Sequence, residues 1–343
     1  MKKYLLGGSG NFYKANLHSH TNLSDGVLSP EKMKEEYMKQ GYSIIAYTDH
    51  NTMIDHSDLA EENFLPLLGF EIDISEKTTA PRGRRTCHIC FIAIDPENKV
   101  QPFWERSGKY LFGNSKYQVD KVIFDENEPD YIRNYSVEDV NYVMQTAREK
   151  GFFVTYNHPV WSGETFEQYA YYRGMHAMEI FNTGCYVLGL PEYNPKIYDD
   201  ILREDNRIYC IAADDNHNAS ADWAHDSFIG HTVINADKLE YKTITKALLD
   251  GKFYASTGPE IHSLYLEDNV VHITCSPAKT ITLNTGRVRS SSQRRVAQKG
   301  EYLTEAQFKI NPDADIYFRL DVYDETGMAA NTSAYFCDEI FKN

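Results

Sequence analysis

The sequence has no apolar run that approaches the roughly 20 residues of a membrane-spanning helix, so it predicts no membrane span. The N-terminal stretch begins with the basic pair Lys2-Lys3, but the apolar run that follows is too short for a secretory signal peptide. The six cysteines are scattered and do not suggest a disulfide framework. Together these absences predict a cytoplasmic protein.

Positive charge is also in short supply. The 343 residues include 35 Lys and Arg against 50 Asp and Glu, which gives a formal net charge of −15. Such a surface repels nucleic acid, which argues against a nucleic-acid polymer as a partner. A P-loop, a dinucleotide-binding fingerprint and a Gly-x-Ser-x-Gly elbow are missing, so nucleotide-cofactor and serine-hydrolase chemistry are disfavoured. The oligomeric state is left open.

Short apolar runs alternate with helical stretches from residue 14 to about residue 260. Ser29 precedes a predicted helix that ends near Gln40, and Ser136 precedes one that ends near Lys150. This β-α-β rhythm predicts an α/β fold with a mainly parallel sheet, either open or closed into a barrel.

The pattern changes after Thr257-Gly258-Pro259. Residues 261–343 contain short alternating strands separated by turn signals, which predicts a small antiparallel domain resembling a β-sandwich. We therefore expect a catalytic barrel over 1–260 and a C-terminal β domain over 261–343. Residues 95–135 form a long irregular insertion, and loops of that length are often lids or binding elements.

Histidine and acidic residues follow the predicted strands. His18 and His20 end the first strand, and residues two apart in a strand point to the same side. The carboxyl ends of parallel strands form the active site of α/β folds. Imidazole and carboxylate groups suit zinc, manganese or iron. The candidate metal ligands are His18, His20, Asp25, His50, Glu71, His88, His158, Asp215 and His217.

Residues 14–220 contain in order the motifs Asn16-Leu17-His18-Ser19-His20-Thr21, Ser24-Asp25-Gly26, Tyr47-Thr48-Asp49-His50-Asn51, Gly69-Phe70-Glu71, His88, Asn157-His158-Pro159 and Asp215-Asn216-His217. With these motifs, this segment resembles the polymerase and histidinol phosphatase (PHP) superfamily. The resemblance implies a distorted seven-stranded (β/α) barrel, similar to a TIM barrel, with up to three metal ions. A further resemblance, to the CehA/McbA-type metallohydrolase branch, lies in residues 158–162, 215–218 and 251–259.

The PHP resemblance implies a role for each matching residue. Two or three divalent ions (Zn, Mn or Fe) are expected, with Glu71 bridging the first and second positions and Asp49 orienting an imidazole. The first position would be held by His18, His20, Glu71 and Asp215, the second by Glu71, His88 and His158, and the third by Asp25, His50 and His217.

A charge count favours an anionic substrate. Three divalent ions, less Asp25, Glu71, Asp215 and a bridging hydroxide, leave about two positive charges, which suits a phosphate. We therefore expect a phosphoesterase that acts on a small phosphorylated molecule through a metal-bridging hydroxide, with Asp215 or His217 assisting proton transfer. Two alternatives are a carbamate or carboxylic ester hydrolase using the same metals, and a non-catalytic barrel in which metals are structural.

Four further residues are candidate substrate contacts. Arg84 and Arg85 could clamp a phosphate, or simply belong to a solvated loop. Trp161 and Ser162 follow His158 and could line the mouth of the pocket.

Two other patterns favour structural roles. Cys87-x-x-Cys90 lacks a second cysteine pair, so buried thiols are favoured over a zinc site. A basic run in the C-terminal region indicates an exposed loop and is the one place where we would look for nucleic-acid contact; it consists of Arg287, Arg289, Arg294 and Arg295.

Overall fold

The computed structural model describes residues 2–77, 85–287 and 293–341. The strands are β1 (Lys2–Leu6), β2 (Asn11–Asn16), β3 (Ile44–Tyr47), β4 (Leu65–Ser75), β5 (Thr86–Ala93), β6 (Phe152–Tyr156), β7 (Ala177–Asn182), β8 (Tyr209–Ala213), β9 (His231–Ala236), β10 (Phe253–Ser256), β11 (Ile261–Glu267), β12 (Val270–Ala278), β13 (Thr280–Thr285), β14 (Gln293–Val296), β15 (Leu303–Lys309), β16 (Tyr317–Tyr323), β17 (Ala329–Thr332) and β18 (Tyr335–Phe336).

The helices are fewer and mostly short. None in the described part of the chain is long and apolar enough to cross a membrane. Short 3-10 turns occupy Ser57–Leu59, Gly113–Tyr117 and Val119–Lys121. The α-helices are α1 (Pro30–Lys39), α2 (Val137–Glu149), α3 (Phe166–Tyr169), α4 (Thr183–Val187), α5 (Pro195–Arg203), α6 (Tyr241–Leu249) and α7 (Cys337–Ile340).

Both predicted helix starts are confirmed. The Ser29 side chain accepts a hydrogen bond from the Lys32 backbone amide at the start of α1. The Ser136 side chain accepts one from the Asp139 backbone amide at the start of α2. Each contact satisfies one of the backbone donors that a helix leaves unpaired in its first turn.

Seven neighbouring strands, β2 to β8 in chain order, form the part of the large sheet that carries the site. The expectation of a mainly parallel, closed TIM-like barrel is not confirmed. The β2–β3, β3–β4, β6–β7 and β7–β8 pairs are parallel, but β4–β5 and β5–β6 are antiparallel. The reason is local, because only residues 76–85 join β4 to β5 and a parallel crossover needs a dozen or more.

The sheet does not close through a ladder between β8 and β2 within the described residues. These strands meet only just beyond their ends, at an isolated bridge between Ser19 and Asn216. The His20 amide donates to the Asn216 carbonyl at 3.1 Å, and the Asp215 amide donates to the His18 carbonyl at 2.9 Å. These bonds bring the residues that follow β2 and β8 together at one edge.

The C-terminal region is antiparallel, as predicted. Strands β1, β11, β12 and β15 form a second sheet, and the large sheet continues from β2 through β9, β10, β17, β16 and β13 to β14. Apolar side chains of both sheets form one cluster that includes Leu6, Leu264, Val271, Ile281 and Leu320. Pairing crosses residue 260 twice, at β1–β11 and β10–β17. A domain boundary at that residue stays a prediction.

A buried arginine joins β16 to α5. The Arg319 guanidinium donates from Nε and Nη2 to the two carboxylate oxygens of Asp199, at 2.9 Å each, and from Nη1 to Asp321. The Arg319 side chain is only 2% exposed, so Asp199 and Asp321 compensate its charge where water cannot.

Arg319→Ala should destabilise the protein by about 3–5 kcal/mol, because it leaves two inward-facing carboxylates without their cation. Urea denaturation followed by circular dichroism measures the effect. Arg207→Ala is the matched control, since Arg207 pairs with Asp338 and Glu339 at the surface and its loss should cost about 1 kcal/mol or less. An equal decrease in the free energy of unfolding in the two variants would contradict a larger stabilising contribution from the Arg319 contacts.

Candidate metal centre

The predicted ligands converge in one cluster at the end of the seven-stranded region. Eight of the nine fall into overlapping groups in which the ligand atoms of each group are within 4.8 Å of one another. The groups are His18, His20 and Asp215; His50, Glu71 and His88; His18, Glu71 and Cys90; and His20, Asp25, His50 and His217. His158 adjoins them through Glu71 and Asp215.

The deepest group contains both histidines of the opening triplet. The Nε2 atoms of His18 and His20 are 3.1 Å apart. Asp215 Oδ1 lies 3.2 Å from His18 Nε2 and 3.0 Å from His20 Nε2. Both imidazoles are fully buried, so these groups present their donor atoms to a shared point that bulk water does not reach.

Glu71 occupies the centre of the cluster. One of its carboxylate oxygens, Oε1, lies 3.3 Å from His18 Nε2, 3.0 Å from His88 Nδ1 and 3.5 Å from His158 Nε2. The other, Oε2, lies 3.1 Å from His50 Nδ1. A carboxylate with imidazoles on both oxygens is the arrangement that a bridge between two ions requires.

The outermost group surrounds Asp25. Its Oδ2 atom lies 3.2 Å from His217 Nε2 and 3.7 Å from His50 Nε2, and its Oδ1 atom lies 3.7 Å from His20 Nδ1. The His217 side chain is 33% exposed, whereas that of His18 is fully buried. The cluster therefore opens to solvent on the Asp25 and His217 side.

Unusual backbone angles aim several of these side chains. Asn51, His158 and Asp215 have positive φ values of 62°, 27° and 51°, in the left-handed region that residues other than glycine rarely adopt. Each lies just past the end of a strand or next to a candidate ligand. Such backbone strain persists only where surrounding contacts hold it, and it is concentrated at functional sites.

Two buried atoms of the cluster have no hydrogen-bond partner among the described residues. They are His20 Nδ1 and Glu71 Oε2. A buried polar atom without a partner is costly, so native structures rarely leave one. Together with the imidazole and carboxylate donor set, these two atoms indicate that the residues fit divalent metal ions such as zinc, manganese or iron.

Mutual contacts shift the ionisation of the cluster. Burial alone would lower the pKa of His158, but its hydrogen bond to Glu71 and the charge of Asp215 raise that pKa to about 9. Burial is likewise outweighed at His217, where the hydrogen bond to Asp25 raises the pKa to about 9. Burial and the neighbouring His20 lower the pKa of His50 to about 3. Metal binding at neutral pH would therefore release protons from His158 and His217.

One important carboxylate was not anticipated from the sequence. Glu179 is fully buried, and its Oε1 atom lies 2.7 Å from His18 Nδ1. Its Oε2 atom accepts hydrogen bonds from the His158 amide and from Asn182. The signal was an acidic residue inside a run that is otherwise a buried apolar strand, Ala177–Asn182. Glu179 orients His18 so that Nε2 faces the cluster.

Asp49 supports the cluster through the loop after β2. Its carboxylate accepts hydrogen bonds from the Thr21 amide and hydroxyl and from the Ser24 hydroxyl. The predicted contact with an imidazole is not among the hydrogen bonds of the described residues. Asp49 therefore holds the loop between His20 and Asp25.

The four predicted substrate contacts are placed differently. Ser162 is buried with its Oγ atom 3.3 Å from His158 Nδ1, and Trp161 packs on His88 and His158 with ring centroids 5.1 and 5.0 Å away. Arg85 Nε lies 3.8 Å from Glu76 Oε2. Arg84 lies outside the described residues.

The cysteines near the cluster are thiols in buried surroundings. All six cysteines are free and buried. Burial raises the pKa of Cys90 to about 11, and its Sγ atom accepts a hydrogen bond from Asn157. The buried placement of Cys87 fits the predicted structural role, whereas the Cys90 Sγ atom also lies in one ligand group with His18 and Glu71.

Comparison with protein families identifies the class. The PHP domain model matches residues 16–250, which is more than half of the chain. The chain therefore belongs to the PHP domain family. Family membership and the ligand cluster together support a metal-dependent hydrolase. The match does not place the chain in the CehA/McbA-type branch.

Individual relatives are more distant. A 5'-3' exoribonuclease of Haemophilus influenzae is 31% identical over 84 residues, which are 24% of this chain and 29% of that protein. The chain thus spans less than a third of that relative.

Solved structures are also similar in part. A two-domain protein of Bacteroides vulgatus, described as containing a predicted PHP-like metal-dependent phosphoesterase, aligns over 94% of this chain and 95% of its own, with 16% identity and a TM-score of 0.45. A protein of Bifidobacterium adolescentis proposed to be a metal-dependent phosphoesterase aligns over 59% of this chain and 87% of its own, with 20% identity and a TM-score of 0.38.

Glu179→Gln should weaken divalent-metal binding by about 10- to 100-fold, because His18 loses the carboxylate that fixes its orientation. Calorimetric titration with Mn²⁺ or Zn²⁺ measures the affinity, and circular dichroism checks the fold. The control is Glu305→Gln on β15, where the side chain is exposed and the affinity should not change. Equal metal affinities in the two variants would contradict the role of Glu179 in orienting His18.

Proposed function

We propose that this chain is a metal-dependent phosphoesterase that hydrolyses a small phosphorylated molecule. The observation that carries the proposal is the convergence of the nine candidate ligands, with Glu71 between two sets of imidazoles. Two or three divalent ions (Zn, Mn or Fe) are the cofactors that this donor set suits.

Each ligand group has a proposed role. His18, His20, Glu71 and Asp215 would hold one ion, Glu71 would bridge to a second held with His88 and His158, and Asp25, His50 and His217 would hold a third. When bound, such ions supply positive charge to a phosphoryl group and lower the pKa of water.

The residues around the ligands keep this geometry. Glu179 and Ser162 orient His18 and His158 through their Nδ1 atoms, which leaves both Nε2 atoms for the cluster. The buried floor excludes water from the deepest group, which strengthens every charge interaction there. The open side at Asp25 and His217 leaves room for a substrate.

Asp215 and His217 are the proposed proton-transfer residues. Asp215 contacts His18 and His20, and its backbone carbonyl lies 3.1 Å from His217 Nδ1. His217 is the more accessible of the two and faces the open side. It is therefore the better placed to exchange a proton with a leaving group.

The family's distorted barrel is a further part of the proposal. Seven strands, β2 to β8, stand side by side, and the residues beyond β2 and β8 are hydrogen bonded to each other. We interpret this as an open form of a seven-stranded barrel, with residues 261–343 as a C-terminal β domain that shares strand pairing with it. The six free cysteines are consistent with a cytoplasmic location.

Carbamate or carboxylic ester hydrolysis is the second candidate. It rests on the Trp161 and Ser162 motif beside His158, which resembles the CehA/McbA-type branch. A non-catalytic role, with the ions only stabilising the fold, is the third. The positive φ angles at His158 and Asp215 favour the two catalytic candidates, because a purely structural metal site would not require such backbone strain.

A panel of p-nitrophenyl phosphate, bis-p-nitrophenyl phosphate and p-nitrophenyl acetate, with manganese or zinc added, separates these candidates. We expect turnover of a phosphoester, and background rates in Asp215→Ala and His158→Ala with the fold retained by circular dichroism. The control, Glu305→Gln, should match the unmodified protein. Exclusive ester turnover would favour the second candidate. No turnover by metal-loaded protein, or full turnover in both ligand variants, would overturn the proposal.

A further inference from the structure

Two exposed aromatic rings contact candidate ligands of the metal centre. Phe112 lies on the insertion, is 58% exposed and has its ring centroid 5.8 Å from that of His50. Trp161 is 43% exposed and has its centroid about 5 Å from those of His88 and His158. His50 and His88 contact the two opposite oxygens of Glu71. The His50 and His88 ring centroids are 5.8 Å apart, so the two aromatic rings contact neighbouring ligands.

The backbone that follows Phe112, residues 113–115, packs against the loops that carry Asp25 and His50. Gly113 follows it with a φ of 54°, and a Cβ atom there would lie 2.4 Å from the Ser24 carbonyl oxygen. Asn114 donates from its amide to that carbonyl at 2.6 Å, and the Ser115 hydroxyl donates to the His50 carbonyl. The insertion is thus fastened to both ligand-bearing loops, which fixes Phe112 beside His50.

Trp161 is fastened in a comparable way. The amides of Val160 and Trp161 donate to the buried carboxylate of Glu192, at 3.2 and 2.9 Å. The next residue, Ser162, donates its amide to the His158 carbonyl. The backbone under the indole is therefore rigid, although much of the ring remains exposed.

Arg85 and Arg133, which lie just before β5 and α2, both contact protein groups. Arg85 faces Glu76, and Arg133 is bound to Asp73 and Asn51. Both arginines are thus engaged by protein groups. Exposed aromatic side chains bind uncharged planar rings well, because stacking buries the facing surfaces of both rings.

We propose that Phe112 and Trp161 form an aromatic subsite for the leaving group of the substrate. The substrate class is then a phosphoester whose leaving group carries a planar, uncharged aromatic or heteroaromatic ring. This inference rests on the proposed phosphoesterase function. It gives the insertion a role, because the insertion supplies Phe112 and holds it against the ligand loops.

Phenylphosphonate and methylphosphonate test the subsite, because they share a charged head and differ by the ring. Calorimetry on metal-loaded protein should show phenylphosphonate binding about tenfold more tightly. Phe112→Ala and Trp161→Ala should each reduce that ratio several-fold and leave the Kd of methylphosphonate unchanged. The control is Tyr302→Ala, an aromatic residue of similar exposure (47%) in the C-terminal region, which should keep the full ratio.

The outcomes separate this inference from the function on which it rests. Equal binding of the two phosphonates, or an equal loss of both in the Phe112 and Trp161 variants, overturns the subsite while p-nitrophenyl phosphate is still turned over. If metal-loaded protein binds neither phosphonate and hydrolyses no phosphoester, the proposed function fails and the subsite fails with it.

Discussion

The fold and the site both depend on the position of Glu71. This carboxylate is 1% exposed and stands among His18, His50, His88 and His158. A buried charge is tolerated only when it is compensated, and here the compensating groups come from four different segments of the chain. Burial would raise the pKa of Glu71, but the histidines around it hold that pKa well below its usual range. The strands must meet at this point for that compensation to exist.

Hydrogen bonds further out keep the histidines in place. Glu179 orients His18 and holds the backbone of His158, and Asp49 secures the loop that carries Asp25. Asp214 accepts hydrogen bonds from the amides of residues 228–230. Burial raises the pKa of Asp214 to about 6 in spite of these contacts. Buried networks of this kind make the geometry rigid before any ligand arrives.

The site could be predicted from the sequence much better than the sheet. Most ligand candidates follow apolar strands, and that pattern is local. Glu71 and His88 lie within β4 and β5 and could be assigned because they match the family motifs. Strand pairing is not local: β5 pairs antiparallel with β6 across the long link of residues 94–151, and β1 pairs with β11 across most of the chain. Glu179 was missed because it lies within strand β7 and belongs to none of the motifs that carry the family resemblance. The partner of Arg85 could not be foreseen, since it depends on the register of β4 and β5.

The central claim is that Glu71 joins two ion positions, and metal analysis of the purified protein tests it most directly. After gentle purification with manganese or zinc present, the unmodified chain should contain about two to three divalent ions. Glu71→Gln keeps the shape of the side chain and removes its charge, so it should lose at least one ion per chain while circular dichroism shows a retained fold. An unmodified protein without bound metal, or a Glu71→Gln variant with the same metal content, would contradict a bridging role for Glu71.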